Sequence, residues 1–563
     1  MKYTMYFAGL IACFFSIVAV QAQENKFLNS PARKLQLAEF AIANLYVDEV
    51  NEGKLVEEAI VKMLEQLDPH STYSDPEEVK KMNEPLQGNF EGIGIQFNMA
   101  EDTLLVIQPV SGGPSEKAGI LAGDRIVMVE DTLIAGVKMS TEDIMRRLRG
   151  PKDSKVNLKI LRRGVKELLP FTVKRDKIPV YSLDASYMIK DKIGYIRINR
   201  FAATTHEEFK KALAELQKKG MKDLILDLQG NGGGYLNAAI DIANEFLGKK
   251  ELIVYTEGRK YPRADEFANG TGSCQKMPVI VLIDEGSASA SEIFTGAIQD
   301  NDRGMVVGRR SFGKGLVQQP IDFSDGSAIR LTIARYYTPS GRCIQRPYQN
   351  GKDRNYEMDW LTRYEHGEYF SKDSIKLDEN LRYSTALGRP VYGGGGIMPD
   401  VFVPQDTTGV TSYLTEVLSK GLTIQFTFHY TDNNRDKLKK YEDEESLLNY
   451  LRRQGLVEQF IRYADSKGVK RRNILIQKSY KLLEKSIYGN IIYNMLGKEA
   501  YIQYLNQSDQ TVKKAVELLE SGEAFPKAPV SVEPQKEEKK DGKKKTTAQV
   551  DSTGEEEILR LYA

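Results

Sequence analysis

The chain has 563 residues, of which 41% are apolar and 28% are charged, and its formal net charge at pH 7 is +1. This composition is typical of a globular protein, and the length is sufficient for three or four domains. The balanced charge argues against a nucleic acid or an acidic membrane surface as the principal partner.

Residues 1–22 have the features of a secretory signal peptide. Lys2 precedes an apolar run over residues 6–20, and Val20 and Ala22 place small or short side chains at the two positions that a signal peptidase reads. We therefore expect export to the periplasm or cell envelope. The run is too short for a comfortable membrane span, so no integral span is expected after cleavage. The alternative is a lipoprotein cleavage box in the stretch LIAC, which would anchor the chain through Cys13.

Residue types that build metal and thiol sites are sparse in this chain. The four histidines are scattered without the spacing of a metal site, and no metal or organic cofactor is predicted. Signal cleavage would leave two cysteines, Cys274 and Cys343. In an oxidising compartment they could pair, but the sequence does not show whether they do.

Residues 23–87 are predicted to form an N-terminal helical segment. Leu35, Ala38 and Ile42 recur at helical spacing. The sequence DPEE, which begins at Asp75, combines a capping aspartate, a proline for the first turn and a glutamate that completes a capping box.

Residues 88–176 change to short β-rich runs separated by Gly, Pro and Asp turns, with one amphipathic helix near residues 141–148. The stretch SEKAGILAGDRIVMVE resembles a PDZ domain. In that comparison the sequence GIGI occupies the place of the carboxylate-binding loop, which comprises Gly92, Ile93, Gly94 and Ile95. A PDZ domain binds the C-terminus of a peptide as an added strand. The alternative is a small β-barrel without a ligand.

Residues 177–404 alternate apolar strands with helices. This pattern predicts an α/β core with a mixed sheet and flanking helices, interrupted by a charged and aromatic surface insertion at about 343–390. Residues 405–525 are predicted to be a helical C-terminal region. Residues 526–563 are dense in Lys and Glu and are predicted to be disordered.

The stretch GRRSFGKGLVQQ, residues 308–319, comes close to a phosphate-binding P-loop. Gly315 stands where a P-loop has Ser or Thr, and no helix follows whose N-terminus would bind phosphate. We therefore exclude a P-loop nucleotide hydrolase, which leaves Lys314 for other chemistry.

The stretch SASASEIF follows a buried strand directly and opens a helix. Ser289 is predicted at the helix N-terminus, where the dipole and free N–H groups favour negative charge. A strand-to-helix turn is a recurring way to present a nucleophile. The alternative is that Ser287, Ser289 and Ser291 only cap the helix. After another strand, residues 232–234 form a glycine loop whose N–H groups could face an oxyanion.

Taken together, these motifs resemble the carboxy-terminal processing peptidases, also called tail-specific proteases. The resemblance runs in order over about residues 37–403 and includes LDPHSTY, DLQGNGGGYL, SASASEIFTGAIQD, FGKGLVQQ, YTPSGRCIQ and GGGGIMPDV. It implies an exported serine endopeptidase that cleaves protein substrates near their C-termini. It also implies that the PDZ domain selects apolar, free C-terminal ends and gates access to the nucleophile.

The resemblance assigns a role to each site residue. It implies that Ser289 is the nucleophile, Lys314 the general base and Gln318 the residue that orients the lysine. It further implies an oxyanion hole from the backbone N–H groups of Ala290 and of one glycine, Gly233 or Gly234. A lysine with its ordinary pKa of about 10.4 is protonated at neutral pH, so burial must lower the pKa before it serves as a base.

Two positions depart from the family pattern, because the chain has Gln229 where arginine is usual and Gly232 where proline is common. Lys314 and Gln318 would lie about 13 Å apart along an extended strand. Direct contact between their side chains therefore needs a bend in the backbone, for which Gly315 is the candidate.

The alternative to an enzyme is a binding module that captures C-termini without cleaving them. The presence of the serine, the lysine and the glutamine together argues against that alternative. The predicted partners are protein or peptide substrates with free C-termini. The sequence leaves open whether the chain forms a homodimer or works with an adaptor protein.

Overall fold

The computed structural model describes residues 30–100, 102–351 and 354–529. The predicted signal peptide and Cys13 lie outside the described residues, as does the predicted tail beyond residue 529. The chain divides into two compact units. The smaller unit comprises the described parts of residues 1–79, 318–332 and 348–357, and the larger unit comprises the rest.

The smaller unit begins with helices. It contains α1 (Pro31–Leu45), α2 (Glu52–Leu64), β1 (Thr72–Ser74) and the first turn of α3 (Pro76–Gln87). The predicted capping box at the start of α3 is confirmed, because Asp75 Oδ1 accepts from the N–H of Glu78 at 2.8 Å and Glu78 Oε2 accepts from the N–H of Asp75 at 3.3 Å. Strand β1 pairs antiparallel with residues 328–330.

The β-rich block of the larger unit forms a small sheet with the order β3-β4-β5-β7-β8. Its elements are β2 (Asn89–Gly92), β3 (Ile95–Ala100), β4 (Thr103–Pro109), α4 (Pro114–Lys117), β5 (Arg125–Val129), β6 (Thr132–Leu133), α5 (Thr141–Leu148), β7 (Lys155–Leu161), β8 (Leu169–Lys174) and β9 (Asp176–Pro179). Strand β2 pairs with β9, and β6 pairs with β5. The predicted amphipathic helix is confirmed as α5. Strand β3 is an edge strand, and its free side can accept another strand.

The α/β core contains a six-stranded mixed sheet, as predicted, with the order β10-β11-β12-β15-β16-β21. These strands are β10 (Leu183–Lys190), β11 (Ile193–Ile198), β12 (Asp223–Asp227), β15 (Val279–Ile283), β16 (Met305–Gly308) and β21 (Val401–Phe402). All neighbours are parallel except β10 and β11. One face is covered by α6 (Thr205–Lys218), α7 (Leu236–Asn244) and α8 (Ala290–Asp300).

Parallel pairing determines where the loops of the candidate site lie. The carboxyl ends of β12, β15 and β16 meet at the same edge of the sheet, which is where open α/β sheets place their sites. The loops that leave these ends contain the three motifs singled out above, namely the glycine loop, the SASAS turn and the loop before Lys314.

Further short elements occur between residues 252 and 392. They are β13 (Leu252–Glu257), β14 (Ala264–Phe267), β17 (Leu316–Asp322), β18 (Ala328–Tyr337), α9 (Arg354–Glu357), α10 (Asp359–Glu365), two 3₁₀ turns (Lys372–Ser374 and Glu379–Leu381), β19 (Arg382–Ser384) and β20 (Pro390–Tyr392). Within the larger unit β13 pairs with β14 and with residues 335–337.

Cys274 and Cys343 are both free thiols, so the pairing that the sequence left open does not form.

The C-terminal region is helical, as predicted. It consists of α11 (Ser412–Ser419), α12 (Leu422–Leu438), α13 (Glu444–Leu451), α14 (Leu456–Ser466), α15 (Asn473–Leu496), α16 (Lys498–Asn506) and α17 (Gln510–Glu520). Most of these helices share a core of their own. Helix α17 instead packs Val512, Ala515 and Leu518 on the second face of the mixed sheet, so both faces of the sheet are covered. Among the helices described here, none has the length and apolar character needed to cross a membrane.

The C-terminal helices also contact the β-rich block. Leu105 and Ile107 of β4 pack against Phe428 of α12 and Tyr493 of α15. The intervening side chains of β4 belong to the block's own core. Strand β4 is therefore buried on both faces over residues 104–107, which explains why LLVI is a continuous apolar run rather than an alternating one.

Candidate active site

Ser289 lies at the turn between β15 and α8, as the N-cap residue of the helix. Its backbone has φ 55° and ψ −115°, a conformation that residues with a side chain rarely adopt. Such a residue costs about 1–3 kcal/mol and is retained where the surrounding structure holds it in place. The side chain is partly exposed. The strained strand-to-helix turn is the geometry that presents a nucleophilic serine.

The two neighbouring serines make structural contacts. The hydroxyl of Ser287 donates to the carbonyl oxygen of Leu228 at 2.8 Å, and the hydroxyl of Ser291 donates to that of Asn231 at 2.8 Å. Both are buried and tie the start of α8 to the loop after β12. Ser287 and Ser291 thus make structural contacts, and Ser289, which caps the helix, differs from them in its strained backbone.

The glycine loop after β12 touches the Ser289 turn. A Cβ atom on Gly233 would lie 2.8 Å from Cβ of Ser289 and 2.9 Å from the backbone nitrogen of Ala290. Gly233 also has φ +102°, and its N–H donates to Asn231 Oδ1 at 2.9 Å. The structure thus brings together the predicted nucleophile and both parts of the predicted oxyanion hole. Gly234, with φ +145°, follows directly.

The departure at Gly232 has little structural consequence. Gly232 lacks a left-handed φ, and no described atom lies within 4 Å of a Cβ built on it.

We expect Gly233→Ala to lower kcat about a hundredfold, because the added methyl group displaces the Ser289 turn. We expect Gly232→Ala to leave kcat within a factor of two. Steady-state kinetics of the two purified variants test this. Equal kinetics for both would contradict the contact described here.

Lys314 lies in the loop between β16 and β17, before the strand begins. Its side chain is partly buried. The left-handed residue of this loop is Gly313, with φ +89°, whereas Gly315 keeps an ordinary φ. Gly315 is required for another reason, since a Cβ atom there would lie 2.8 Å from the backbone nitrogen of Gln345.

A fully buried carboxylate connects the loop of Lys314 to the Ser289 turn. Glu292, three residues after Ser289, is 0% exposed. It accepts hydrogen bonds from the N–H groups of Ser289 at 2.8 Å, Gly313 at 2.7 Å and Lys314 at 2.9 Å, and from the hydroxyl of Ser311 at 2.5 Å. Burial raises the pKa of Glu292 to about 7, although the four donors act in the opposite direction.

Tyr336 of β18 connects the same two segments through their carbonyl groups. It is 1% exposed, and its hydroxyl lies 3.1 Å from the carbonyl oxygen of Ser289. The same hydroxyl also hydrogen-bonds the carbonyl oxygen of Lys314. Neither Glu292 nor Tyr336 was among the site residues predicted from the sequence. The capping-box spacing S-x-x-E indicates the contact between Ser289 and Glu292, but the chain carries no local signal for Tyr336.

Gln318 belongs to the smaller unit. Its side-chain amide donates to the carbonyl oxygen of His70, in the motif LDPHSTY. Asp68 holds this motif in a turn, since its carboxylate accepts from the N–H groups of His70 at 2.9 Å and Ser71 at 3.0 Å and from the hydroxyl of Thr332 at 3.0 Å. The motif therefore has a structural function that includes fixing the amide of Gln318.

The predicted carboxylate-binding loop precedes the edge strand β3. Gly94 has φ +71°, and a Cβ atom there would lie 2.9 Å from Ile178, so glycine is required. The carbonyl of Ile93 accepts from the N–H of Ser115 at 3.0 Å and from its hydroxyl at 2.7 Å. The loop is thus anchored through its carbonyls, beside a strand that has a free edge.

Among the described residues, no group of three or more His, Cys, Asp and Glu side chains forms a metal site.

Comparison with known families gives four matches along the chain. Residues 192–356 match peptidase family S41, residues 92–174 match a PDZ domain, and residues 16–78 match the N-terminal domain of the activating protease CtpB. Residues 413–497 match a family of unknown function.

Individual proteins are also similar to the chain. The carboxy-terminal processing protease CtpB of Bacillus subtilis (strain 168) is 35% identical over 366 residues, which are 64% of this chain and 75% of that protein. A carboxy-terminal-processing protease of Bartonella bacilliformis is 39% identical over 336 residues, 58% of this chain and 76% of that protein. Among solved structures, the photosystem II D1 C-terminal processing protease is 28% identical with a TM-score of 0.35, covering 67% of this chain and 88% of that one.

Proposed function

The chain belongs to the carboxy-terminal processing proteases of peptidase family S41, and from this membership we propose that it cleaves protein substrates near their C-termini with Ser289 as nucleophile and Lys314 as general base. It is a serine-type peptidase that carries a PDZ domain. The observation that supports the two assignments most directly is the strained Ser289 turn, whose backbone shares the carboxylate of Glu292 with the loop of Lys314.

The mechanism proposed for these groups is acyl transfer. Ser289 Oγ attacks the carbonyl carbon of the scissile peptide while neutral Lys314 Nζ takes the hydroxyl proton. The negative charge on the carbonyl oxygen is stabilised by the N–H of Ala290, the first residue of α8, and by an N–H of Gly233 or Gly234. The N–H of Gly233 would first have to leave Asn231 Oδ1, to which it donates in the structure. The protonated lysine then gives its proton to the leaving amine. Water, deprotonated by the lysine, releases the acyl group and restores Ser289.

Gln318, four residues after the lysine in the chain, is proposed to orient the ammonium group. Its amide nitrogen donates to the carbonyl of His70, which restricts how the side chain can turn. The oxygen of a neutral amide can accept a hydrogen bond from the lysine without the strong preference for a charged ammonium that a carboxylate would create.

The PDZ domain is proposed to recognise apolar, free C-terminal ends. The glycine loop over residues 92–95 would bind the terminal carboxylate, and the peptide would pair with the free edge of β3. This arrangement would deliver the substrate chain to the serine and gate access to it. Protein or peptide chains with exposed C-termini are therefore the expected partners.

Export is proposed on the signal sequence over residues 1–22, with the periplasm or cell envelope as the destination. The domain limits predicted from the sequence are part of the same proposal, with the PDZ-like domain at 88–176, the peptidase core at 177–404 and the helical region at 405–525. No cofactor is required by the mechanism.

Digestion of an unfolded protein with an apolar C-terminus tests the function. We expect the mature chain to cleave it and Ser289→Ala to leave it intact, with both proteins binding the C-terminal peptide. Cleavage by both would show that Ser289 is not the nucleophile. Peptide binding by both without cleavage by either would favour a binding module.

A further inference from the structure

The Ser289 turn and the Lys314 loop are joined through all four of their backbone polar groups. The N–H of Ser289 and the N–H of Lys314 donate to the same oxygen of Glu292, Oε2, at 2.8 and 2.9 Å. The carbonyl oxygens of the same two residues are both within hydrogen-bonding reach of the hydroxyl of Tyr336. One carboxylate and one phenol therefore bridge the backbones of the nucleophile and the base.

We propose that Glu292 and Tyr336 are positioning residues that set the placement of Ser289 relative to Lys314. This inference rests on the proposed function, because it assigns the pair a role in bringing those two groups into reactive geometry. Neither side chain is required to touch the substrate. Their effect on the reaction passes through the backbones of Ser289 and Lys314.

The choice of a carboxylate supports this role over that of a simple core residue. A buried carboxylate is costly, and an apolar residue of similar size would satisfy packing alone. Glu292 instead directs its two oxygens to four donors, and every donor lies on the serine turn or on the loop over residues 311–314. A carboxylate can accept all four hydrogen bonds, whereas an amide would turn two N–H groups toward donors.

We call Glu292 and Tyr336 the clamp, because they hold the strained backbone conformation of Ser289. A positive φ at a serine relaxes unless other contacts hold it. Glu292 accepts from the N–H of that residue, and the C=O of that residue lies 3.1 Å from the Tyr336 hydroxyl. The hydroxyl has one proton, which the carbonyl oxygens of Ser289 and Lys314 share. Both peptide groups around the strained bond are therefore in contact with one of the two side chains. Since a misplacement of about 1 Å can cost about a hundredfold in rate, release of either contact should lower kcat.

Kinetics of two conservative variants test the clamp. We expect Glu292→Gln to lower kcat about a hundredfold and Tyr336→Phe about tenfold, with KM within about threefold of wild type, because the substrate contacts are untouched. The substrate is a peptide with an apolar C-terminus, and melting temperatures are measured in parallel.

Two matched controls lie outside the site. Glu245 is a buried carboxylate that accepts from Ser273 and His206, so Glu245→Gln repeats the chemical change elsewhere in the core. Tyr337 is the chain neighbour of Tyr336 and stacks on Tyr255, so Tyr337→Phe repeats the loss of a hydroxyl. We expect both controls to keep kcat within about twofold.

The outcomes separate this inference from the function on which it rests. Equal cleavage by wild type and Ser289→Ala, or no cleavage by wild type, would overturn both. Serine-dependent cleavage with wild-type kcat in both folded clamp variants would overturn the clamp alone. The clamp is also overturned if the clamp variants lose no more kcat than Glu245→Gln does at a similar loss of melting temperature. Should Glu292→Gln fail to fold, Tyr336→Phe decides the question by itself.

Discussion

Lys314→Ala is expected to lower kcat/KM at least about a thousandfold while the protein remains folded. Loss of the group that activates a serine nucleophile typically has an effect of this size, since the unassisted hydroxyl attacks poorly. The backbone of residue 314 keeps its contacts with Glu292 and Tyr336 in the variant, because both contacts are made by its peptide groups. The comparison therefore isolates the amine.

Lys314→Arg is the matched variant for this experiment. It keeps a positive charge and a similar length, but a guanidinium cannot lose its proton in the pH range of the assay. We expect it to be as inactive as Lys314→Ala, whereas a residue that only supplied charge would be replaced by arginine with much of the activity kept. Activity of Lys314→Ala within tenfold of wild type would rule out the lysine as general base.

The sequence predicted most of the architecture because the deciding signals are local. Buried β-branched runs followed by amphipathic segments indicated the α/β core, and the capping box at Asp75 marked a helix start. The predicted nucleophile and the glycine loop meet in the structure, since parallel strands place their carboxyl ends at one edge.

What the sequence could not provide depends on contacts between distant segments. Helix α17 covers the second face of the core sheet and follows strands β12, β15 and β16, which it contacts, by more than two hundred residues, and its own pattern indicates only an amphipathic helix. The same applies to β4. Its unbroken apolar run was visible, but the helices that bury its second face could not be inferred from it.

The clamp was missed for the same reason. Spacing within SASASEIF is sufficient to connect Ser289 with Glu292, but the other three donors to that carboxylate come from residues 311–314. Tyr336 reaches the site from a strand that follows β17. A tyrosine in a β-branched run is ordinary core composition, so only the folded arrangement distinguishes its hydroxyl.

A second prediction for Glu292 concerns the free energy of unfolding rather than the reaction rate. Its pKa is raised from 4.5 to about 7 in the folded protein by burial, so between these two values the folded state binds the proton more tightly than the unfolded state. Stability therefore decreases as pH rises through this window. The contribution of Glu292 is fully present below about pH 4.5 and lost above about pH 7, a change of about 3 kcal/mol.

Denaturant unfolding of wild type and Glu292→Gln between pH 4 and 8 isolates this contribution, because every other titrating group is common to both proteins. We expect the free energy of unfolding of wild type, minus that of the glutamine variant, to fall by about 3 kcal/mol across the window. Glu245→Gln should not reproduce this curve. Burial raises the pKa of Glu245, but hydrogen bonds from Ser273 and His206 outweigh burial, so the pKa of that carboxyl is lowered in the folded state. A difference that stays constant with pH would mean that the pKa of Glu292 is the same in the folded and unfolded states, so that the four donors offset burial. A difference that rises with pH would mean that the four donors outweigh burial and lower the pKa of Glu292 in the folded state.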